Sequence, residues 1–60
     1  MFKLEVTVYD SLHDRLLVYK NINVIEIKED TFKLKEQYTN EEHVYVFSTR
    51  YSIRSIEIIE

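Results

Sequence analysis

The chain has 60 residues, eleven of them acidic and eight basic, which gives a formal charge of −3. It contains no cysteine, so neither a disulfide framework nor a thiolate metal cluster can support the fold. A domain of this length buries only about 60% of the surface that its unfolded chain exposes. We therefore expect one domain, residues 1–60, with a thin core that oligomerisation would support.

The distribution of charged and apolar residues limits which partners and which cellular location we expect. Acidic and basic residues are interspersed without a basic block, which disfavours nucleic acid as a partner. No stretch approaches the ~18 to 20 apolar residues of a membrane span. The first ten residues alternate where a signal peptide would be continuously apolar. A soluble cytoplasmic protein without membrane contact is the expectation.

Two strands are predicted in the first third of the chain. Residues 2–9 alternate between apolar and polar side chains, which is typical of a half-buried strand. After a short loop, residues 15–20 are rich in residue types that favour strands. A helix over 11–20 competes, because Ser11 and Asp14 fit a helix-capping pattern and apolar residues follow at helical spacing. The sequence leaves this choice open.

The middle of the chain predicts a hairpin and a fifth strand. Residues 24–28 and 31–37 both alternate, and the short polar turn between them favours a hairpin. Residues 43–48 predict the fifth strand. Because the chain has no glycine, a backbone position with φ above zero must fall on Asn or Asp, the next most tolerant residues. The candidates between apolar runs are Asp10, Asn21, Asp30 and Asn40.

The last predicted strand follows an irregular step. Ile53 and Ile56 are three residues apart, so both can point inward only across a turn-like, 3₁₀ step between them. Ile56 and Ile58 then resume the period of two and predict the sixth strand.

The last nine residues of the chain repeat the pattern of a segment nearer its middle. Residues 21–29, NINVIEIKE, match residues 52–60, SIRSIEIIE, at five positions with a constant offset of 31. An offset of 30 aligns the first strands of the two halves, and 28 aligns their second strands. The halves 1–29 and 30–60 then predict two pseudo-twofold units of three strands each. Chance matching in a chain rich in Ile and Glu is the alternative.

Six short strands without a long periodic helix predict an all-β fold. It would be a small six-stranded antiparallel barrel or a strongly bent sheet, whose closure protects the strand edges. Residues 50–58, RYSIRSIEI, resemble the short step before the final strand of SH3-like barrels. The chain ends in an Ile-x-x-Ile-Glu-Ile motif at residues 53–58. In this it also resembles small β-rich proteins of phages and mobile elements of low-GC bacteria. That resemblance implies an inhibitor or modulator of a host protein.

Residues that could carry chemistry are few. His13 and His43 lack the paired spacing of a zinc site, and we interpret both as exposed. No serine has an adjacent base held by a third group. Glu26 and Glu57 occupy matching positions in the two halves, but the alternation places both on outer faces. We predict no catalytic residue, no metal site, no cofactor and no enzyme activity.

Apolar residues on both faces of two strands predict an interface. If Leu16 and Val18 point inward in the second strand, and Val44 and Val46 in the fifth, their neighbours point outward. Ile59, out of phase with the isoleucines before it, joins this outward set. The predicted interface residues are Leu17, Tyr19, His43, Tyr45, Phe47 and Ile59.

Three explanations compete for this apolar set. The two strands could be buried on both sides of a bent sheet, or the set could form a protein interface. It could also be a stacking platform for single-stranded nucleic acid, as in other small barrels. We favour a cytoplasmic protein–protein interaction module that forms a homodimer or binds a larger partner. A single-stranded nucleic-acid-binding small barrel is the alternative.

Overall fold

A computed structural model describes residues 3–37 and 40–60 and shows six antiparallel strands there. The strands are β1 (Leu4–Asp10), β2 (Arg15–Ile22), β3 (Val24–Lys28), β4 (Thr31–Gln37), β5 (Glu42–Phe47) and β6 (Tyr51–Ile58). The helix considered for residues 11–20 is wrong, because 11–14 form a turn and the rest pairs with β1. The all-β prediction is confirmed.

The strands form two separate three-stranded sheets. Sheet A has the order β2-β1-β6 and sheet B the order β3-β4-β5, with every pair antiparallel. In the described ranges no ladder joins the sheets, so the strands do not close into a barrel. The SH3-like closure that the sequence predicted is absent from this part of the chain.

The strand order has an internal twofold symmetry. Exchanging each strand of one half for the corresponding strand of the other (β1 with β4, β2 with β5, β3 with β6) converts the order of sheet A into that of sheet B, read from its other edge. In each sheet the first strand of one half lies in the centre, between its own hairpin partner and the last strand of the other half. Two equivalent halves would produce this order, and their common ancestry stays a hypothesis.

The pairing register does not follow the offsets of the sequence repeat. Those offsets set Leu4 against Leu34 and Leu17 against Tyr45. In the structure Leu34 pairs with Tyr45, whereas Leu17 pairs with Val8. The topology of the halves is therefore similar, but the residues matched by sequence do not occupy equivalent pairing positions.

Two β-bulges in sheet A change the phase of its outer strands. Leu4 pairs with Ile22 and Val6 with Tyr19, so β2 carries one extra residue against β1. An extra residue in one strand places side chains three positions apart on the same face. Asn21, with φ of 64°, lies inside this bulge, as the tolerance of asparagine for this region predicts.

The second bulge corrects the prediction for the last strand. Thr7 pairs with Ser55 and Val8 with Ile53, which leaves Arg54 as the extra residue. Ile53 and Ile56 share a face through this bulge, and the expected 3₁₀ step is wrong. The bulge achieves the same change of phase while β6 continues without interruption.

Positive φ angles occur at other turn positions than predicted. In the turn after β1 the angle falls on Asp14, at 48°, because Asp10 is extended and pairs with Arg15. In the two-residue turn after β3 it falls on Glu29, at 55°, and not on Asp30. Such turns need positive φ at positions fixed by strand twist, so geometry overrides residue preference.

The core lies between the sheets and is small. It consists of Val6, Val8, Ile22, Phe32, Leu34 and Phe47. Residues of β2 contact β4, where the inner faces of the sheets meet. Cross-strand partners share a face, so Tyr19 opposite Val6 and Tyr45 opposite Leu34 also point inward.

The predicted orientation of β2 and β5 is therefore wrong. Leu16 and Val18 are 62% and 54% exposed, and Val44 and Val46 lie on the outer face of sheet B. Aromatic rings remove more apolar surface from water than valine does, so the inner positions go to the rings. The sequence did not distinguish two faces that are both apolar.

Candidate interaction surfaces

Most of the predicted interface residues contribute to the core. Phe47 is 4% exposed and stacks on Phe32 with ring centroids 4.6 Å apart. The Tyr19 ring lies 4.9 Å from that of Tyr45 and 5.3 Å from that of Phe47. Leu17 pairs with buried Val8 and shares its inner face. These rings pack between the two sheets and so form part of the contact that holds the sheets together.

The two other predicted interface residues lie at the surface. His43 is exposed at the start of β5, opposite Glu36. Ile59 follows β6 and is 45% exposed, while its backbone N–H donates to the Lys3 carbonyl at 2.9 Å. Of the predicted set, Ile59 is the apolar residue that keeps a large exposed surface.

An apolar edge runs along the end of β6. Ile56 and Ile58 pair with Val6 and Leu4, which places both on the inner face of sheet A. They are nevertheless 48% and 68% exposed, because sheet B covers the start of the outer strand β6 and not its end. We call Ile56, Ile58 and the exposed Ile59 that follows them the isoleucine edge.

Sheet B leaves a similar residue uncovered on its own outer strand. Ile27 pairs with Phe32 on the inner face, yet it is 70% exposed. A gap of about 240 Å³ beside it extends to Tyr51 and Ile53 of β6. The inner faces of the two sheets are thus incompletely covered along their outer strands.

The outer face of sheet A carries an open cleft of about 740 Å³. Thr7 and Ser55 face each other across β1 and β6, and Tyr9 faces Leu16 across β1 and β2. The Arg54 guanidinium lies 4.4 Å from the centre of the Tyr9 ring, within the range of a cation–π contact. The bulge in β6 exposes Arg54 at this position.

A buried carboxylate lies at the end of β1, next to this cleft. Asp10 is fully buried, and its Oδ1 accepts a hydrogen bond from the Leu12 N–H at 3.1 Å. His13 Nδ1 lies 2.8 Å and Arg15 Nε 3.3 Å from its Oδ2. Arg50 Nε lies 3.4 Å from Oδ1. The charge is thus paired on several sides, which is what a buried carboxylate requires.

The surroundings of Asp10 favour its ionised form. Burial raises the pKa of the carboxyl group, but the hydrogen bonds from His13, Leu12 and Arg15 and the charge of Arg50 outweigh it. The pKa is lowered from 3.8 to about 2. The sequence pattern predicts a turn at Asp10, and it does not reveal the cluster, which also depends on the tertiary contact with Arg50.

The cluster also fastens β6 to the turn after β1. The Ser11 N–H and hydroxyl donate to the Arg50 carbonyl at 3.0 and 2.8 Å. The Arg50 side chain donates to the Tyr51 hydroxyl. The hydroxyl proton of Ser11 is used in this contact. Among the described residues no group of three metal-binding side chains is gathered.

Comparison with known proteins gives no further guide to these surfaces. No family model, curated protein or solved structure matches the chain. Within residues 3–37 and 40–60 no helix is long and apolar enough to cross a membrane.

Proposed function

We propose that the protein acts through protein contacts and associates with a second copy of itself along the isoleucine edge. The observation that carries this proposal is the exposure of Ile56 and Ile58 on a face whose neighbouring strand is buried. Side chains on the inner face of a sheet are normally covered by another layer. A second copy would supply that layer.

The small core favours a second copy as the occupant. Six apolar side chains are buried in the described part of the chain, and the sequence offers no disulfide. Domains of this size usually need added support, and self-association is one form of it. A twofold contact uses the same patch on both copies, so the isoleucine edge of each copy would be covered by that of the other.

β6 also suits such a contact geometrically. It is an outer strand of sheet A, so one side of its backbone is open to a further strand. Glu57 lies between Ile56 and Ile58 and points to the other face, as its pairing with Glu5 shows. The isoleucines can therefore meet without bringing the Glu57 carboxylates of two copies together.

Light scattering after size exclusion tests the proposal. The wild-type chain should elute with twice its mass of 7.3 kDa at high concentration, and Ile58→Glu with the mass of one chain. Val46→Glu is the matched control, because Val46 is 69% exposed and Ile58 68%, but Val46 lies on the outer face of sheet B. A wild type with the mass of one chain at every concentration would refute the proposal. So would a Val46→Glu variant that dissociates while Ile58→Glu does not.

A further inference from the structure

The cleft on the outer face of sheet A combines a cation with an apolar wall and hydroxyl groups. Arg54 lies at one side, exposed Leu16 at another, and the Thr7 and Ser55 hydroxyls between them. None of these side chains belongs to the isoleucine edge. A cleft of this composition suits a ligand that carries a negative group beside an apolar one.

Arg54 is prepared to bind an anion. Its guanidinium rests against the Tyr9 ring, and among the described residues it forms no ion pair with a carboxylate. A guanidinium in contact with a ring still has its N–H groups, and their planar arrangement can bind both oxygens of a carboxylate. The contact with Tyr9 limits the motion of the long side chain, which lowers the cost of ordering it.

Asp14 restricts the kind of anion that fits. Its Oδ1 accepts a hydrogen bond from the Tyr9 hydroxyl at 2.6 Å, which raises the pKa of Tyr9. Asp14 and Arg54 therefore line the same cleft, with the carboxylate of Asp14 held by the Tyr9 hydroxyl. Arg15 lines the cleft as well, but its Nε is directed to Asp10. A single carboxylate can approach Arg54, whereas a run of phosphates would also meet Asp14 and a chain of net charge −3.

We propose that this cleft binds an acidic peptide segment of a partner protein. The segment's carboxylate pairs with Arg54 and accepts hydrogen bonds from the Ser55 and Thr7 hydroxyls. An apolar side chain next to it in the segment packs on Leu16. The site is separate from the isoleucine edge, so its test does not depend on self-association.

Titration with defined probes, followed by ¹⁵N-HSQC spectra, tests the site. A peptide with a single glutamate beside a leucine should shift the amide signals of Thr7, Tyr9 and Ser55, and the same peptide with glutamine in place of the glutamate should not. Arg54→Gln should weaken binding about tenfold to a hundredfold, because a charge-assisted hydrogen bond contributes about 1.5 to 3 kcal/mol. Lys33→Gln, which removes a cation from the outer face of sheet B, should bind as the wild type does.

A second variant and two competing anions test the same site independently of Arg54→Gln. Leu16→Glu places a like charge in the cleft at a residue that is 62% exposed, so the variant should fold and lose binding even if Arg54→Gln unfolds. Inorganic phosphate and a single-stranded oligonucleotide serve as competing anions. Failure of the acidic peptide to shift these signals overturns the proposal, as does equal binding of the glutamine peptide. Tighter binding of the oligonucleotide or phosphate, or equal loss in Lys33→Gln, overturns it too.

Discussion

Asp10 Oδ2 lies 2.8 Å from His13 Nδ1, and this contact joins the end of β1 to the turn that follows it. The carboxylate is fully buried, and Arg15 and Arg50 approach it from β2 and from the segment before β6. One ionised group thus links the end of β1 to the start of β2 and to the segment before β6. The stability of the fold should depend on its charge.

The first prediction concerns the pH dependence of that stability. Because the folded pKa of Asp10 is about 2, below the ordinary 3.8, the ionised carboxylate stabilises the fold fully above about pH 4. This contribution is lost as the pH falls through about 2. Denaturant unfolding followed by circular dichroism at several pH values should show a falling midpoint across this window.

Asp10→Asn supplies the corresponding variant. It should lower the denaturation midpoint at pH 7, because Arg15 and Arg50 lose their buried partner. It should also flatten the change between pH 4 and pH 2. Asp30→Asn, at an exposed turn residue, should leave the midpoint at pH 7 unchanged. An Asp10→Asn variant as stable as the wild type would show that the cluster does not stabilise the fold.

A second prediction tests which face of β5 is buried. Phe47→Ala should cost about 3 to 5 kcal/mol of unfolding free energy, because the ring packs on Phe32, Tyr19 and Tyr51. Val46→Ala should cost about 1 kcal/mol or less, since the side chain is 69% exposed. Urea unfolding of both variants gives the comparison. A larger loss for Val46→Ala would restore the orientation expected from the sequence.

A third prediction concerns the bulge in β2. Asn21 has φ of 64°, a region that costs most L-residues about 1 to 2 kcal/mol. Asn21→Gly should keep or raise the thermal midpoint, whereas Asn21→Ala should lower the unfolding free energy by about 1 kcal/mol. Equal stability of the two variants would argue that Asn21 does not hold this conformation.

A fourth prediction links folding to self-association. If the second copy covers the isoleucine edge, the thermal midpoint of the wild type should rise with protein concentration. The midpoint of Ile58→Glu should not depend on concentration. Calorimetry at two concentrations makes the comparison, and a wild-type midpoint independent of concentration would contradict the linkage.

The strands themselves could be predicted because each satisfies a local rule. Alternation identified β1, β3 and β4, and the irregular spacing of Ile53 and Ile56 correctly indicated a break in phase. A local rule cannot say whether such a break is a 3₁₀ step or a bulge, because that depends on the partner strand. It is the pairing with β1 that makes the extra residue a bulge.

The candidate surfaces were harder to predict because they depend on what covers each face. In β2 and β5 both faces carry apolar residues, so the pattern gave no preference, and the inner positions of Tyr19 and Phe47 follow from packing. Ile59, which the phase of the strand predicts to point outward, is 45% exposed. Arg54 and Tyr9 are distant in sequence and meet through the β1–β6 ladder, so no spacing could indicate their contact.

Isotope-filtered NOE spectra on a mixture of ¹³C-labelled and unlabelled chains test the self-association most directly. We predict contacts between chains from the methyl groups of Ile56, Ile58 and Ile59, and none from Val44 or Val46 on the outer face of sheet B. Contacts between chains that arise from Val44 and Val46 instead, or a complete absence of such contacts at high concentration, would contradict the account.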